Sequence, residues 1–318
     1  MHPSEPQPIG GVPVDIRPIR PGEERAAGDL VYRVTRGKAP SPAQLNAFMA
    51  QTEALETDLA NQAVAVTPGG ELVGCAMLFP NLDATASISA PMCVEKFRSI
   101  EVEVGLVRTL REMAARRGIQ MLQALTAEDD GALEEIFMLS GFEVLATMLF
   151  MERPTTRDDR KWLADSMMRW QAYSPERHGA FLETVERSYE GTLDCSKLGE
   201  FRNVSTTIES YKARGAFDPD LWLLGEQDGK PAAVILLVRH PDGTHEVAYM
   251  GVVPEQRGKG LGLETMKRAL AEVASRGGDG LVSLVVDEAN TPATAVYSSL
   301  GFAVTERRRA YFSLLATS

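Results

Sequence analysis

Met250-Gly251-Val252-Val253-Pro254-Glu255-Gln256-Arg257-Gly258-Lys259-Gly260-Leu261-Gly262 decides the fold of this 318-residue chain. The residues before it, from Glu246 to Val253, alternate as a strand does. The residues after it put Leu263, Met266, Leu270 and Val273 on one face of a helix. A strand therefore feeds a glycine-rich loop that opens a helix. Such a loop turns backbone N–H groups and the positive helix end toward one point, which suits a phosphate or pyrophosphate. Glycine is required there because a Cβ would block the ligand or forbid a positive φ. A Walker loop is excluded, since Lys259 is followed by Gly260 rather than by Ser or Thr. The dinucleotide fingerprint has a different glycine spacing.

The spacing that remains is Arg-x-x-Gly-x-Gly, at Arg257, Gly260 and Gly262. A buried-type strand, residues 281–286, comes next, followed by Asp287, Asn290, Ala293, Tyr297, Leu300, Gly301 and Phe302. Together these runs resemble the acyl-CoA site of the Gcn5-related N-acetyltransferase (GNAT) superfamily. The resemblance implies an α/β fold with a mixed, mostly antiparallel sheet flanked by helices and splayed at the acyl-CoA site. It implies acetyl-CoA as cosubstrate and an N-acetyltransferase acting on the amine of a small molecule. Acetylation of a protein amine and a non-catalytic acyl-CoA sensor are the alternatives. By resemblance, Val252 and Val253 offer backbone groups to the pantetheine arm. A backbone N–H near Met250–Val252 faces the thioester carbonyl. Arg257, Gly258, Lys259, Gly260, Leu261 and Gly262 hold the pyrophosphate, and Asn290 bonds the pantetheine or caps its helix. Tyr297 takes the place of the family's general acid.

Glu246 begins Glu-Val-Ala-Tyr-Met-Gly-Val, similar to the Glu-Val-Ala strand of the histone-acetyltransferase branch, whose glutamate deprotonates the amine. Strand alternation puts Glu246 on the face of Ala248 and Met250, unless a bulge intervenes. An apolar cleft there would raise its pKa toward neutrality, which suits a base. A sensor would need neither Glu246 nor Tyr297. The histidines are weaker candidates. His245 adjoins Glu246, but adjacent strand residues point to opposite faces. His178 falls on a helix, and His240 in a turn with Pro241-Asp242-Gly243.

The length suggests two domains with their own cores. A net charge of −11 argues against general nucleic-acid binding. No apolar run reaches membrane-span length, and the opening through Pro21 reads as a polar, proline-rich lead-in without a signal core. Cys75, Cys93 and Cys195 show no metal-ligand spacing and suit a reducing cytoplasm. Neither a metal nor a membrane is expected, and the oligomeric state stays open.

The chain reads as a repeat. Gly141-Phe142 matches Gly301-Phe302, and the same gapless register of 160 places Leu110 with Leu270 and Gly118 with Gly278. The domains expected are a degenerate, non-catalytic copy at 1–155 and a catalytic one at 161–318, with residues 153–160 as a charged linker. The tandem layout resembles that of the mycothiol synthases. In this register Arg257, Gly260 and Gly262 fall opposite Phe97, Ile100 and Val102. Glu246 falls opposite Ala86, Asn290 opposite Asp130, and Tyr297 opposite Phe137. A slip of one residue sets Arg98 opposite Arg257 but restores no glycine. The first copy thus keeps the fold and lacks the site.

Overall fold

The computed structural model describes residues 13–54, 58–81, 84–164, 166–201, 204–277 and 280–315. Most of the proline-rich opening and Gly278 lie outside the described residues. By compactness the chain divides into one unit of residues 1–144 with 310–318 and a second of residues 145–309.

The first unit begins with β1 (Asp15–Pro18), α1 (Glu24–Arg36), α2 (Pro42–Ala54), β2 (Gln62–Val66) and β3 (Leu72–Pro80). It continues with β4 (Thr85–Ile88), β5 (Met92–Cys93), α3 (Ile100–Arg116), β6 (Met121–Ala127) and α4 (Gly131–Leu139). β1 to β4 pair antiparallel in sequence, β5 adds to β3, and β4 pairs parallel with β6. The α3 face predicted from periodicity, Val102, Leu106, Leu110 and Met113, is buried in the core.

The second unit takes most of β7 (Glu143–Pro154), then β8 (Arg169–Ala172), α5 (His178–Tyr189), α6 (Val204–Ala213) and β9 (Ala216–Gln227). After these come β10 (Lys230–Arg239), β11 (His245–Val252), α7 (Leu261–Ser275), β12 (Leu281–Asp287), α8 (Thr291–Ser299) and β13 (Ala303–Leu314). The last residues of β13, from Ala310, belong to the first unit, where Tyr311 packs on Phe137. In the second unit β8 to β11 pair antiparallel, β11 pairs parallel with β12, and β12 pairs antiparallel with β7. Two apolar layers sandwich this sheet. One contains Met266 and Leu270 of α7 with Tyr297 of α8. The other contains Phe181 and Val185 of α5, Ile208 of α6 and Trp222. Trp222 is fully buried and donates Nε1–H to the Leu237 carbonyl at 3.0 Å, so its polar tip is satisfied.

The internal repeat is visible in element boundaries. β6, α4 and β7 start at 121, 131 and 143; β12, α8 and β13 start at 281, 291 and 303, each 160 later. The register is not gapless, however. β1 and α1 start at 15 and 24, and β8 and α5 at 169 and 178, only 154 later. The second copy therefore carries six more residues between its first helix and the strands that follow. Residues 153–160 are not a loose linker either. β7 runs on to Pro154, residues 157–163 form a 3-10 helix, and Arg153 makes a two-pronged pair with Asp159 at 2.8 and 3.0 Å. Desolvation opposes the charge on Asp159, but Arg153 and the Thr156 N–H outweigh it and lower the carboxyl's pKa.

Candidate active site

β11 and β12 part company early. Their parallel ladder consists of His245 with Val282 and Glu246 with Ser283, and it does not extend toward Val252. The outer side of β11 beyond that point thus lacks a ladder partner in β12. Which backbone groups face the gap follows from the other edge. Val253 donates its N–H to Ala232 O at 3.0 Å. Antiparallel alternation then aims Gly251 at β10, and the N–H and C=O of Met250 and Val252 away from it. Val253 cannot serve the pantetheine as expected. Its N–H is taken by Ala232, and its carbonyl accepts from Gln256 N at 3.0 Å. Val252 retains its N–H, while its carbonyl accepts from Arg257 Nε at 3.1 Å.

The loop that follows ends on the N-terminus of α7. Gly258 and Gly260 have φ of 72° and 83°, a region that disfavours any side chain. A Cβ on Gly258, Gly260 or Gly262 would meet nothing within 4 Å, so the space in front of the helix end is open. Gly260 is the N-cap and supplies no side-chain acceptor. The first N–H bonded within the helix is that of Glu264, to Gly260 O at 3.1 Å. The N–H groups of Leu261, Gly262 and Leu263 are left at the positive helix end, where a pyrophosphate fits. Lys259 adds a charge nearby, its Nζ 2.9 Å from Gln256 Oε1.

Arg257 does something other than face that space. Its guanidinium donates to three carbonyls, Val252 O (3.1 Å), Ser188 O (2.9 Å) and Gly191 O (3.3 Å). It ties the C-terminal end of α5 to the start of the loop, where a cation suits the negative helix end. Close approach of α5 also explains Gly251: a Cβ there would lie 2.3 Å from Ser188 Oγ.

Glu246 lies on the sheet face opposite α7. Ala248 and Tyr249 both pack with α5 and α6, because a bulge between Val247 and Tyr249 interrupts the alternation. Met250 is thereby turned to the α7 layer, away from the face of Glu246. Nor is the cleft around Glu246 apolar. Its Oε2 is 2.7 Å from His240 Nε2 and its Oε1 is 3.5 Å from an Arg214 nitrogen. Sheet register aligns Glu246 with Ser283 and then Glu152 across three strands on this face. Val285, further along the same face of β12, is 42% exposed, so the floor is open at that point among the described residues. The loop between α5 and α6 is pinned to the end of β12. Asp287 N–H donates to Asp194 at 3.0 Å, and Cys195 N–H donates to Asp287 at 3.1 Å.

Tyr297 is buried in the α7 layer with its ring against Phe302. Burial, and then the Asp194 carboxylate, push its hydroxyl pKa above the ordinary value, so the group keeps its proton at neutral pH. Asn290 caps α8, accepting from Ala293 N–H at 3.4 Å. His245 stays apart from Glu246, its Nδ1 buried with no hydrogen-bond partner among the described residues. Burial lowers its pKa, and the charges of Arg239 and Arg276 lower it further. His178 bonds Tyr173 at 3.0 Å. The functional neighbour that sequence left in a turn is His240. The signal for it is strand register, since Val238 pairs with Glu246 and His240 lies two residues beyond Val238.

Residues 187–302 match the family model described as the acetyltransferase (GNAT) family. A mycothiol acetyltransferase of Thermomonospora curvata is 40% identical over 99 residues, 30% of this chain and 33% of that protein. One of Kocuria rhizophila is 27% identical over 256 residues, 75% of this chain and 80% of that protein. The chain spans about a third of the length of the Thermomonospora relative. Among solved structures, a GCN5-related N-acetyltransferase from Sphaerobacter thermophilus shares the fold with a TM-score of 0.64 at 19% identity, over 95% of this chain and 96% of that one. A tandem GNAT protein from the clavulanic acid biosynthesis pathway superposes with a TM-score of 0.57 at 16% identity, over 96% and 99%. No helix among the described residues is long and apolar enough to cross a membrane. With the parted strands and the glycine loop, these matches place residues 187–302 in the acetyltransferase (GNAT) family, while the chain as a whole shares its fold with GNAT structures, a tandem one among them.

Proposed function

We propose that this chain is an acetyl-CoA-dependent N-acetyltransferase acting on the amine of a small molecule. In this reading residues 161–318 form the catalytic domain and residues 1–155 a degenerate copy. The observation that carries it is the opening of β11 from β12 directly before an uncapped, glycine-lined helix end. The residues present fit acetyl-CoA, because the space in front of Gly258, Gly260 and Gly262 is open and three helix N–H groups face it. When bound, acetyl-CoA supplies an activated acetyl group as a thioester.

The chain supplies the rest. The α7 N-terminus and Lys259 bind the pyrophosphate. The backbone N–H of Met250 or Val252, aimed into the gap, stabilises negative charge on the carbonyl oxygen. Donor and acceptor reach the gap from opposite faces of the sheet, since the α7 layer lies on one side and Glu246 on the other. Glu246 takes the proton that the attacking amine must lose. Tyr297 keeps its proton at neutral pH and takes the general acid's place by resemblance to the family, although burial makes it a weaker acid than an exposed tyrosine.

The relatives supply a first acceptor to test. Mycothiol acetyltransferases make the unacetylated form of mycothiol the first amine to test. The experiment is release of free thiol from acetyl-CoA across an amine panel containing that compound. Turnover with one small amine and none with peptide lysines is the result expected. Tight CoA binding without thiol release on any amine would favour a sensor instead.

A further inference from the structure

We propose that His240 is a positioning residue for Glu246 and the outlet for the proton that Glu246 collects. The inference rests on the reading of Glu246 as the base. Register puts the two side chains together. Val238 is paired with Glu246, and His240, two residues on, is its diagonal neighbour on the same face. The turn is fixed by His240 N–H donating to Thr244 O at 2.8 Å, and by Thr244 N–H donating to Asp242 at 2.9 Å. The outcome is the 2.7 Å contact between His240 Nε2 and Glu246 Oε2.

The charged groups around the pair are Arg214, 3.5 Å from the other carboxylate oxygen, and Asp242 in the turn. A guanidinium offers only donors and no lone pair to receive a proton, so Arg214 can only orient the carboxylate. Histidine can do both. One proton passes from the substrate ammonium to Glu246, which becomes a neutral acid. That acid gives the proton to unprotonated Nε2, and the imidazolium releases another from Nδ1 to water. The carboxylate is restored with Nε2–H donating to it, exchange of the ring protons with water resets the tautomer before the next turnover, and no further reactant is consumed. The His240 side chain is 31% exposed against 21% for Glu246, so the histidine stands on the solvent side of the pair.

The test compares His240→Ala and His240→Gln with Glu246→Gln in the full chain, using acetyl-CoA and an accepted amine. Loss of about 10-fold or more in kcat is expected for His240→Ala, with the acetyl-CoA KM within about twofold and an altered acid limb of the kcat profile. Added imidazole should restore part of the rate in His240→Ala, which a purely structural role would not permit. His240→Gln can still donate to Glu246 but cannot relay, so it should keep KM and lose kcat. Wild-type kcat and pH profile in His240→Gln, or no imidazole rescue of His240→Ala, overturns the relay. A normal Glu246→Gln enzyme would instead remove the base itself. An inactive Glu246→Gln beside a normal His240→Ala would remove the relay alone.

Discussion

The two halves carry the same turn with opposite outcomes at the start of a helix. In the first unit Val94 N–H donates to Val73 O, and in the second Val253 N–H donates to Ala232 O. Each is followed by a 3-10 turn and an arginine, so Arg98 is the counterpart of Arg257. The register that sets Phe97 opposite Arg257 is thus off by one. From there the paths differ. The first unit passes from Arg98 through Ser99 straight into α3, and Ser99 Oγ accepts the N–H of Val102 at 3.4 Å. Arg98 turns to Glu103 at 3.1 Å, a carboxylate buried in the first turns of that helix. The second unit inserts Gly258 and Lys259, and caps α7 with a glycine that has no side chain to bond the first helix N–H groups. One helix end is satisfied from within; the other is left for a ligand. On the proposed reading, two residues and one cap separate a unit with a CoA site from one without, and the fold is unchanged.

The sharpest way to break this contrast is to give α7 the first unit's entry, replacing Gly258-Lys259-Gly260 by a single serine. The helix should remain, since serine caps at least as well as glycine. Calorimetric titration with CoA should show one site per chain in the wild type and none in the variant, a loss of about 1,000-fold or more. Retained affinity would move the pyrophosphate elsewhere.

The second contrast is Glu246, paired with Ser283 of β12, against Ser87, which pairs with the equivalent Gln123 of β6 and carries no carboxylate, so the register that sets Ala86 opposite Glu246 is off by one here too. Glu246→Gln keeps the shape and removes the base. A fall in kcat of roughly 10²–10⁴ is expected, with CoA binding intact. Turnover at the wild-type rate would leave the proton to water. A smaller effect, about 100-fold in CoA affinity, is expected of Gly262→Val. Gly262 lies in α7, lacks a positive φ, and has open space where the Cβ would go. Weaker binding would then report on ligand space and not on backbone strain; unchanged binding would show that the ligand stays clear of this face.

Much of this was legible in the chain. Gly258 and Gly260 announce a loop because few other residues tolerate its backbone. Helix faces such as Leu106 with Leu110, or Met266 with Leu270, declare themselves by period. The paired rings Phe137 with Phe142 and Tyr297 with Phe302 recur because the same helix packs on the same strand in both copies. What stayed hidden depends on register between strands distant in sequence. The bulge that turns Met250 away from Glu246, the closure of Val253 by Ala232, and the approach of His240 are all of this kind. The shift from 160 to 154 is hidden for another reason: a surface insertion leaves no periodic trace.

The smallest effect separates the halves by acid. At the 154-residue spacing, Arg17 and Glu23 of the first unit correspond to Gln171 and Arg177 of the second. Both pairs tie the first strand to the first helix. In the first unit the Arg17 guanidinium grips Glu23 at 2.7 and 2.8 Å, and the Arg20 N–H adds a bond at 2.9 Å. In the second, Arg177 Nε donates to the neutral Gln171 amide at 2.6 Å. The Arg17 hydrogen bond, against a smaller cost of burial, lowers the Glu23 pKa from 4.5 to about 2. A folded-state value below the unfolded one means stability that is complete above pH 4.5 and drains away as pH falls toward 2. The Gln171 bond has no carboxylate to protonate and should not follow pH. At pH 7, Glu23→Gln should cost about 1 kcal/mol or less, a few degrees in Tm at most. That gap should close as the pH approaches 2, while the cost of Gln171→Ala stays level. Melting curves of both variants and the wild type across this range decide it, and a Glu23→Gln gap that persists undiminished in acid would mean that the pair contributes through packing and not through charge.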